Sequence, residues 1–248
     1  MKVFCIGLGK TGTKTLKSAL EILGFSVGQC IDLGLRYWAK GDLETLREYT
    51  ITYDALQDFP WPYLYKELYN WYPDAFFILT VRYNEEKWYE SLCRHYDRVG
   101  PNLAKELAYG CESPYEDPDG LKKLYEQHNK NCQLFFQRNP RFKVLCWENG
   151  DSWESLCHFL GQPQPSVPFP QSNTTPDYYG IMASIIEREG IRSAASWVSR
   201  MEKEKDIPKL REHFNGYKYY YFVKGISRKI WKSLRRFTGS KYRGVFLG

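Results

Sequence analysis

At 248 residues, 43% hydrophobic and 17% aromatic, the chain has ample material for one α/β-sized core with an appendage. No run approaches the roughly 20 apolar residues of a membrane span, and seven scattered cysteines without a C-x-x-C pair exclude a disulfide framework or a zinc site. The net charge of +6 is uneven: residues 216–248 carry nine Lys and Arg and no acidic residue, so the basicity belongs to the tail and not to the body.

Lys2-Val3-Phe4-Cys5-Ile6, ended by Gly7, is a short apolar run expected to form a buried strand, and with a core strand this near Met1 no signal peptide is expected ahead of it. The stretch Gly7-Leu8-Gly9-Lys10-Thr11-Gly12-Thr13-Lys14-Thr15 then opens a helix whose apolar positions are Leu16, Ala19, Leu20 and Leu23. Strand, glycine-rich turn and helix N-terminus make an anion site, because unpaired N–H groups and the positive end of the helix dipole converge there. The nucleotide-hydrolase loop G-x-x-x-x-G-K-[ST] fits poorly. Gly7 and Gly12 have its separation, but Thr13 takes the lysine's place, and Lys14-Thr15 comes one residue late, a turn of about 100° on a helix. Lys10 stands directly before Thr11-Gly12-Thr13 instead.

Further on, Phe25 to Cys30 reads as a short strand or bend, and Leu33 to Tyr49 as one or two helices broken at Gly41-Asp42, with Asp42 a cap. Asp58 ends a short strand ahead of Phe59-Pro60-Trp61-Pro62, and Tyr63 to Trp71 is expected to be helical. Ala75 to Val81 is the clearest strand, continuously apolar as a central parallel strand should be, with Arg82 immediately after it. Helices follow over Glu85–Arg98, Asn102–Tyr109 and Leu121–Gln137, the last two joined by a polar loop, Glu112–Gly120. Phe142–Trp147 is expected to be a buried strand, and Asp151 to cap a helix from Trp153 to Leu160 that stops at Gly161. Two helices are expected over Asp177–Glu204. Strands alternating with helices predict an α/β fold with a parallel sheet. Ligands of such sheets lie beyond the carboxyl ends of the strands, so the first loop, Asp58 and Arg82 are expected to share one crevice.

Three segments resemble one family in order. They are Lys10-Thr11-Gly12-Thr13; the strand Phe77–Val81 with Arg82 and, further on, Ser91; and Trp153-x-x-Leu156-Cys157-x-Phe159-Leu160-Gly161 with Pro168-Phe169-Pro170 and Asn173. Together they look like the P-loop-type sulfotransferases that use 3′-phosphoadenosine-5′-phosphosulfate (PAPS), in the branch that opens with Gly-x-x-[Lys/Arg]-Thr-Gly-Thr. The resemblance implies a three-layer fold with helices on both faces of a parallel sheet, and sulfuryl transfer to a hydroxyl or amine acceptor without a metal. It places the 5′-phosphosulfate on Lys10, Thr11, Gly12, Thr13, Lys14 and Thr15, and the 3′-phosphate on Arg82 and Ser91. The residue types suit those roles: a guanidinium forks onto a phosphate, and a lysine stabilises charge on a leaving oxygen.

In many relatives a His-Leu-Pro sequence supplies the base that deprotonates the acceptor; here Asp58-Phe59-Pro60 holds that place, with Glu67 in reserve and His95 a weaker candidate. Lys14 departs from the usual threonine, and Arg82 to Ser91 spans nine positions where relatives commonly span eight. Trp88 and Trp153 suit either adenine stacking or core packing. The implied organisation is a sulfotransferase-like domain over 1–175, a helical extension over 176–215 and a basic amphipathic tail over 216–248. That tail suits an anionic membrane surface, a partner, or its own domain, and no nucleic-acid motif accompanies it. Two other readings stay open: a P-loop kinase using Lys14 and Thr15, and a non-catalytic adaptor at a membrane. The acceptor is expected to be a small molecule or carbohydrate, and the setting cytoplasmic.

Overall fold

Short apolar strands separated by amphipathic helices leave the chain few topologies, and it adopts a parallel sheet covered on both faces. The computed structural model describes residues 1–100 and 103–170. The chain divides into two units, Met1–Thr175 and Pro176–Gly248; the helices expected over 176–215 and the basic tail lie outside the described residues. Strands β1 (Val3–Cys5), β2 (Val27–Gly28), β3 (Ala55–Leu56), β4 (Phe76–Thr80) and β5 (Phe142–Leu145) pair in the order β2-β3-β1-β4-β5, all parallel. Val3 is in register with Ala55 on one side and Phe76 on the other. From β1 the chain builds one side of the sheet and then crosses to build the other, which makes the gap between the ends of β1 and β4 the topological switch point.

The two-residue period of the strands sorts the core into layers. Val3, Cys5, Ala55 and Ile78 pack against Leu16, Ala19 and Leu20 of α1 (Thr13–Ile22) and Trp153, Leu156 and Leu160 of α8 (Trp153–Leu160). Phe4, Ile6, Leu56, Phe77 and Leu79 face the other way. They meet Leu46 of α3 (Leu43–Ile51), Leu68 of α4 (Tyr65–Trp71) and Phe136 of α7 (Pro118–Phe136). Phe77 and Phe136 sit with ring centroids 4.6 Å apart, and each such fully buried side chain is worth about 1.5–3 kcal/mol. A third cluster unites Leu35 of α2 (Ile31–Ala39), Trp88 and Leu92 of α5 (Glu85–Val99), Ala104 and Ala108 of α6 (Leu103–Tyr109), and Leu121 and Tyr125 of α7 with Leu8 and Phe59 of the strand-end loops. His128 of α7 is buried against β1's end: its Nε2 hydrogen-bonds the Ile6 carbonyl at 2.7 Å, and burial lowers its pKa to about 4. It is a neutral core residue.

Several boundaries differ from expectation. The loop expected over Glu112–Gly120 is shorter, because Asp117 caps the Gly120 N–H and Pro118 opens α7 a turn early. Prolines 60 and 62 turn Trp61–Leu64 into a 3-10 segment, so α4 starts only at Tyr65. β5 is a half-exposed edge strand rather than a buried one and ends at Leu145; the Cys146 N–H goes to Asp151 Oδ2 at 2.7 Å, and Trp147–Asn149 form a 3-10 turn. With Asp151 so engaged, the cap of α8 is Ser152, in a reciprocal box with Ser155. All seven cysteines are free, and among the described residues no helix is long and apolar enough to cross a membrane.

Candidate active site

Every strand of the sheet delivers a polar or aromatic residue to its carboxyl edge. The loop after β1 is fastened from below and from the sides. Thr11 turns inward: its hydroxyl donates to the Leu8 carbonyl and pairs with Thr80 Oγ1 of β4, both at 2.6 Å. Gly7 lies so close to β4 that an added Cβ would fall 2.2 Å from Thr80 Oγ1. Trp88 donates its indole N–H to the Gly9 carbonyl at 2.9 Å while stacking on Tyr125. Gly12, at φ 92°, is the left-handed N-cap of α1 and offers no side-chain cap; the Trp147 indole donates to its carbonyl at 3.2 Å, and a Cβ there would meet the ring at 2.3 Å. No acidic residue stands in the first turn of α1, so its N–H groups and dipole present a positive end.

Among the described residues only two non-glycine residues adopt a positive φ, Lys10 at 75° and Asp58 at 60°. A Cβ in this region costs roughly 1–2 kcal/mol, and such strain gathers at functional sites. Asp58 follows β3 and is 8% exposed. Its carboxylate accepts from Gln29 Nε2, beyond β2, at 2.6 Å and from the Thr13 hydroxyl. Burial raises its pKa; the Thr13 and Gln29 hydrogen bonds and the charges of Lys10 and Lys14 oppose that rise. The Tyr109 hydroxyl at the end of α6 comes within 3.2 Å of where a Gly9 Cβ would stand; burial pushes its pKa well up, and the neighbouring Tyr63 and Asp58 add to that.

Arg82 sits just past β4. Its Nη2 pairs with Glu148 Oε1 at 2.5 Å, the other Glu148 oxygen accepts the Tyr83 N–H at 2.7 Å, and the Arg82 N–H donates to the Tyr125 hydroxyl at 2.8 Å. Arg82 Nε is buried without an acceptor. Glu148 and Trp147 share one 3-10 turn, so the turn that holds Gly12 also holds Arg82.

The sequence profile of the sulfotransferase domain matches residues 2–113 and 98–178, well over half the chain. The chain belongs to the sulfotransferase domain family. It is also similar to the Ava biosynthesis cluster protein M of Aspergillus versicolor, 25% identical over 218 residues that cover 71% of this chain and 82% of that protein.

Within this sulfotransferase domain the expected residues fare differently. Lys10, Gly12, Thr13, exposed Lys14, buried Thr15 and Asp58 come together at the ends of β1 and β3, with Arg82 beyond neighbouring β4. Thr11 serves the loop's own geometry through its hydroxyl. Ser91 is half-buried on α5 beside Leu92, and among the described residues no hydrogen bond joins it to Arg82. Trp88 and Trp153 are core residues, the latter donating to the Val167 carbonyl. Glu67 lies on α4 beside Tyr65, and His95 on α5. Gln29, Tyr109, Trp147 and Glu148 also stand at this edge, although no motif in the sequence marks them. Gln29 after β2 and the pair after β5 stand where the strand-end rule already pointed.

Proposed function

We propose that this sulfotransferase domain transfers the sulfuryl group of PAPS to a hydroxyl or amine of a small-molecule or carbohydrate acceptor in a cytosolic setting, with Asp58 as the base. The observation that carries this reading is the strain shared by Lys10 and Asp58 alone among the described non-glycine residues, at the ends of two adjacent strands. A lysine and a buried aspartate held where glycine fits best argue that their side chains are needed.

The donor is doubly anionic, and the residues suit it. The first-turn N–H groups of α1 and Lys10 would hold the 5′-phosphosulfate, while Arg82, with a buried N–H lacking an acceptor, would take the 3′-phosphate. Asp58, partly desolvated, accepts the acceptor's proton; Lys10 neutralises charge on the leaving 5′-phosphate oxygen; and Thr13 and Gln29 keep the Asp58 carboxylate aimed. A relative named for a biosynthesis cluster supports a small-molecule acceptor.

Calorimetric titration in the presence of a chelator tests the donor assignment. Adenosine 3′,5′-bisphosphate is expected to bind about ten- to a hundredfold more tightly than adenosine 5′-phosphate, since charged hydrogen bonds to one phosphate are worth about 1.5–3 kcal/mol. Equal binding of the two in chelator, or, in a parallel titration with magnesium and no chelator, binding of ATP alone, would overturn it in favour of the kinase reading through Lys14 and Thr15.

A further inference from the structure

Resting on that donor assignment, we propose that Glu148 is a stand-in for the 3′-phosphate: it occupies Arg82 while the nucleotide is absent and gives way when the phosphate arrives. Its carboxylate is held as a small oxyanion would be, one oxygen on Arg82 Nη2 at 2.5 Å and the other on the Tyr83 N–H at 2.7 Å. Two oxygens cannot satisfy everything that this corner offers, because Arg82 Nε remains buried with no acceptor. A phosphate, with three terminal oxygens, can reach Nη2, Nε and the Tyr83 N–H together.

The pair is also built to exchange without moving the chain. Glu148 is the wetter partner, 34% exposed at the side chain against 17% for Arg82, so its carboxylate can rotate into water at little cost. The backbone around it stays fixed by Trp147 on Gly12, by the Cys146 N–H on Asp151, and by the Asn149 N–H on the Cys146 carbonyl at 3.0 Å. Keeping both anions on one guanidinium would set like charges within a few ångströms, so binding replaces one with the other. The consequence is a weakened grip on the part of the nucleotide that is common to donor and product. That grip is uniform binding, which slows product release without lowering the barrier.

The test compares adenosine 3′,5′-bisphosphate with adenosine 5′-phosphate by calorimetry in wild type and Glu148→Gln. Removing the competing charge is expected to tighten the bisphosphate about tenfold and to leave the monophosphate within about twofold. In the double variant Arg82→Gln/Glu148→Gln the gain should vanish. An unchanged or smaller preference in Glu148→Gln overturns the exchange. If wild type prefers the bisphosphate and the variant shows no gain, only the exchange fails; if neither protein distinguishes the two nucleotides, the donor assignment fails with it. Should the Gln variant not fold, Glu148→Asp reads the same exchange. Its shorter arm cannot span Arg82 and the Tyr83 N–H, so bisphosphate affinity should rise several-fold, and unaltered or weaker binding would count against the proposal.

Discussion

Replacing Lys10 by Ala is expected to lower the transfer rate by about 10²–10³-fold, the loss typical of removing one oriented donor from a developing oxyanion. The informative partner is Lys10→Gly. Lys10 sits at φ 75°, where both Lys and Ala carry a Cβ into an unfavourable region and Gly does not. The glycine variant should therefore lose as much activity as the alanine variant and yet unfold at a higher temperature. If the side chain were merely one that the turn tolerates, Gly would raise stability and leave the rate alone. Parallel melting curves and initial rates for the three proteins separate the two cases.

The second large effect belongs to Asp58. Asp58→Asn should lower kcat by about 10²–10⁴-fold, the range of a lost general base. Asn tolerates the left-handed backbone, and its Oδ1 can still accept from Gln29 or Thr13, so the fold is kept. The pH dependence has a definite sign. Burial raises the folded-state pKa of Asp58 above its unfolded value. Its favourable contribution to stability is therefore complete below the unfolded pKa and is lost as pH rises through the raised folded pKa. At neutral pH the ionised carboxylate is a burden on the fold, and Asp58→Asn should be at least as stable as wild type there while nearly inactive. Activity runs the other way: the wild-type rate climbs as Asp58 deprotonates, above the ordinary carboxylate range, and that acid limb should be missing from the residual activity of the variant. A fall in stability at neutral pH, with the acid limb intact, would return Asp58 to the role of a strand-end cap.

Much of this was legible in the sequence because the signals are local. The β4 run, the Asp42 cap between α2 and α3, and the stop of α8 at Gly161 are all set by residues within a turn of where they act. So is the glycine-rich turn, and the strand-end rule was enough to bring Lys10, Asp58 and Arg82 to one edge. What escaped depends on partners far along the chain. Nothing near residue 148 says that Glu148 meets Arg82, 66 residues away, and nothing near Gly12 announces the Trp147 indole, 135 residues on. Boundaries slipped where two local signals competed. Asp117-Pro118 started α7 ahead of the apolar period beginning at Leu121, and Asp151 lost the cap of α8 to Ser152 because the Cys146 N–H claimed its carboxylate. The strain at Lys10 and Asp58 lies in the backbone, where residue identity gives no warning.

Donor binding as proposed has one nucleotide spanning the switch point between β1 and β4. A crystal structure of the protein with adenosine 3′,5′-bisphosphate tests it directly. The 5′-phosphate is expected on the Lys10–Thr15 loop and the 3′-phosphate on Arg82, with Glu148 turned away. A nucleotide bound with Arg82 still paired to Glu148 and its 3′-phosphate elsewhere would contradict it.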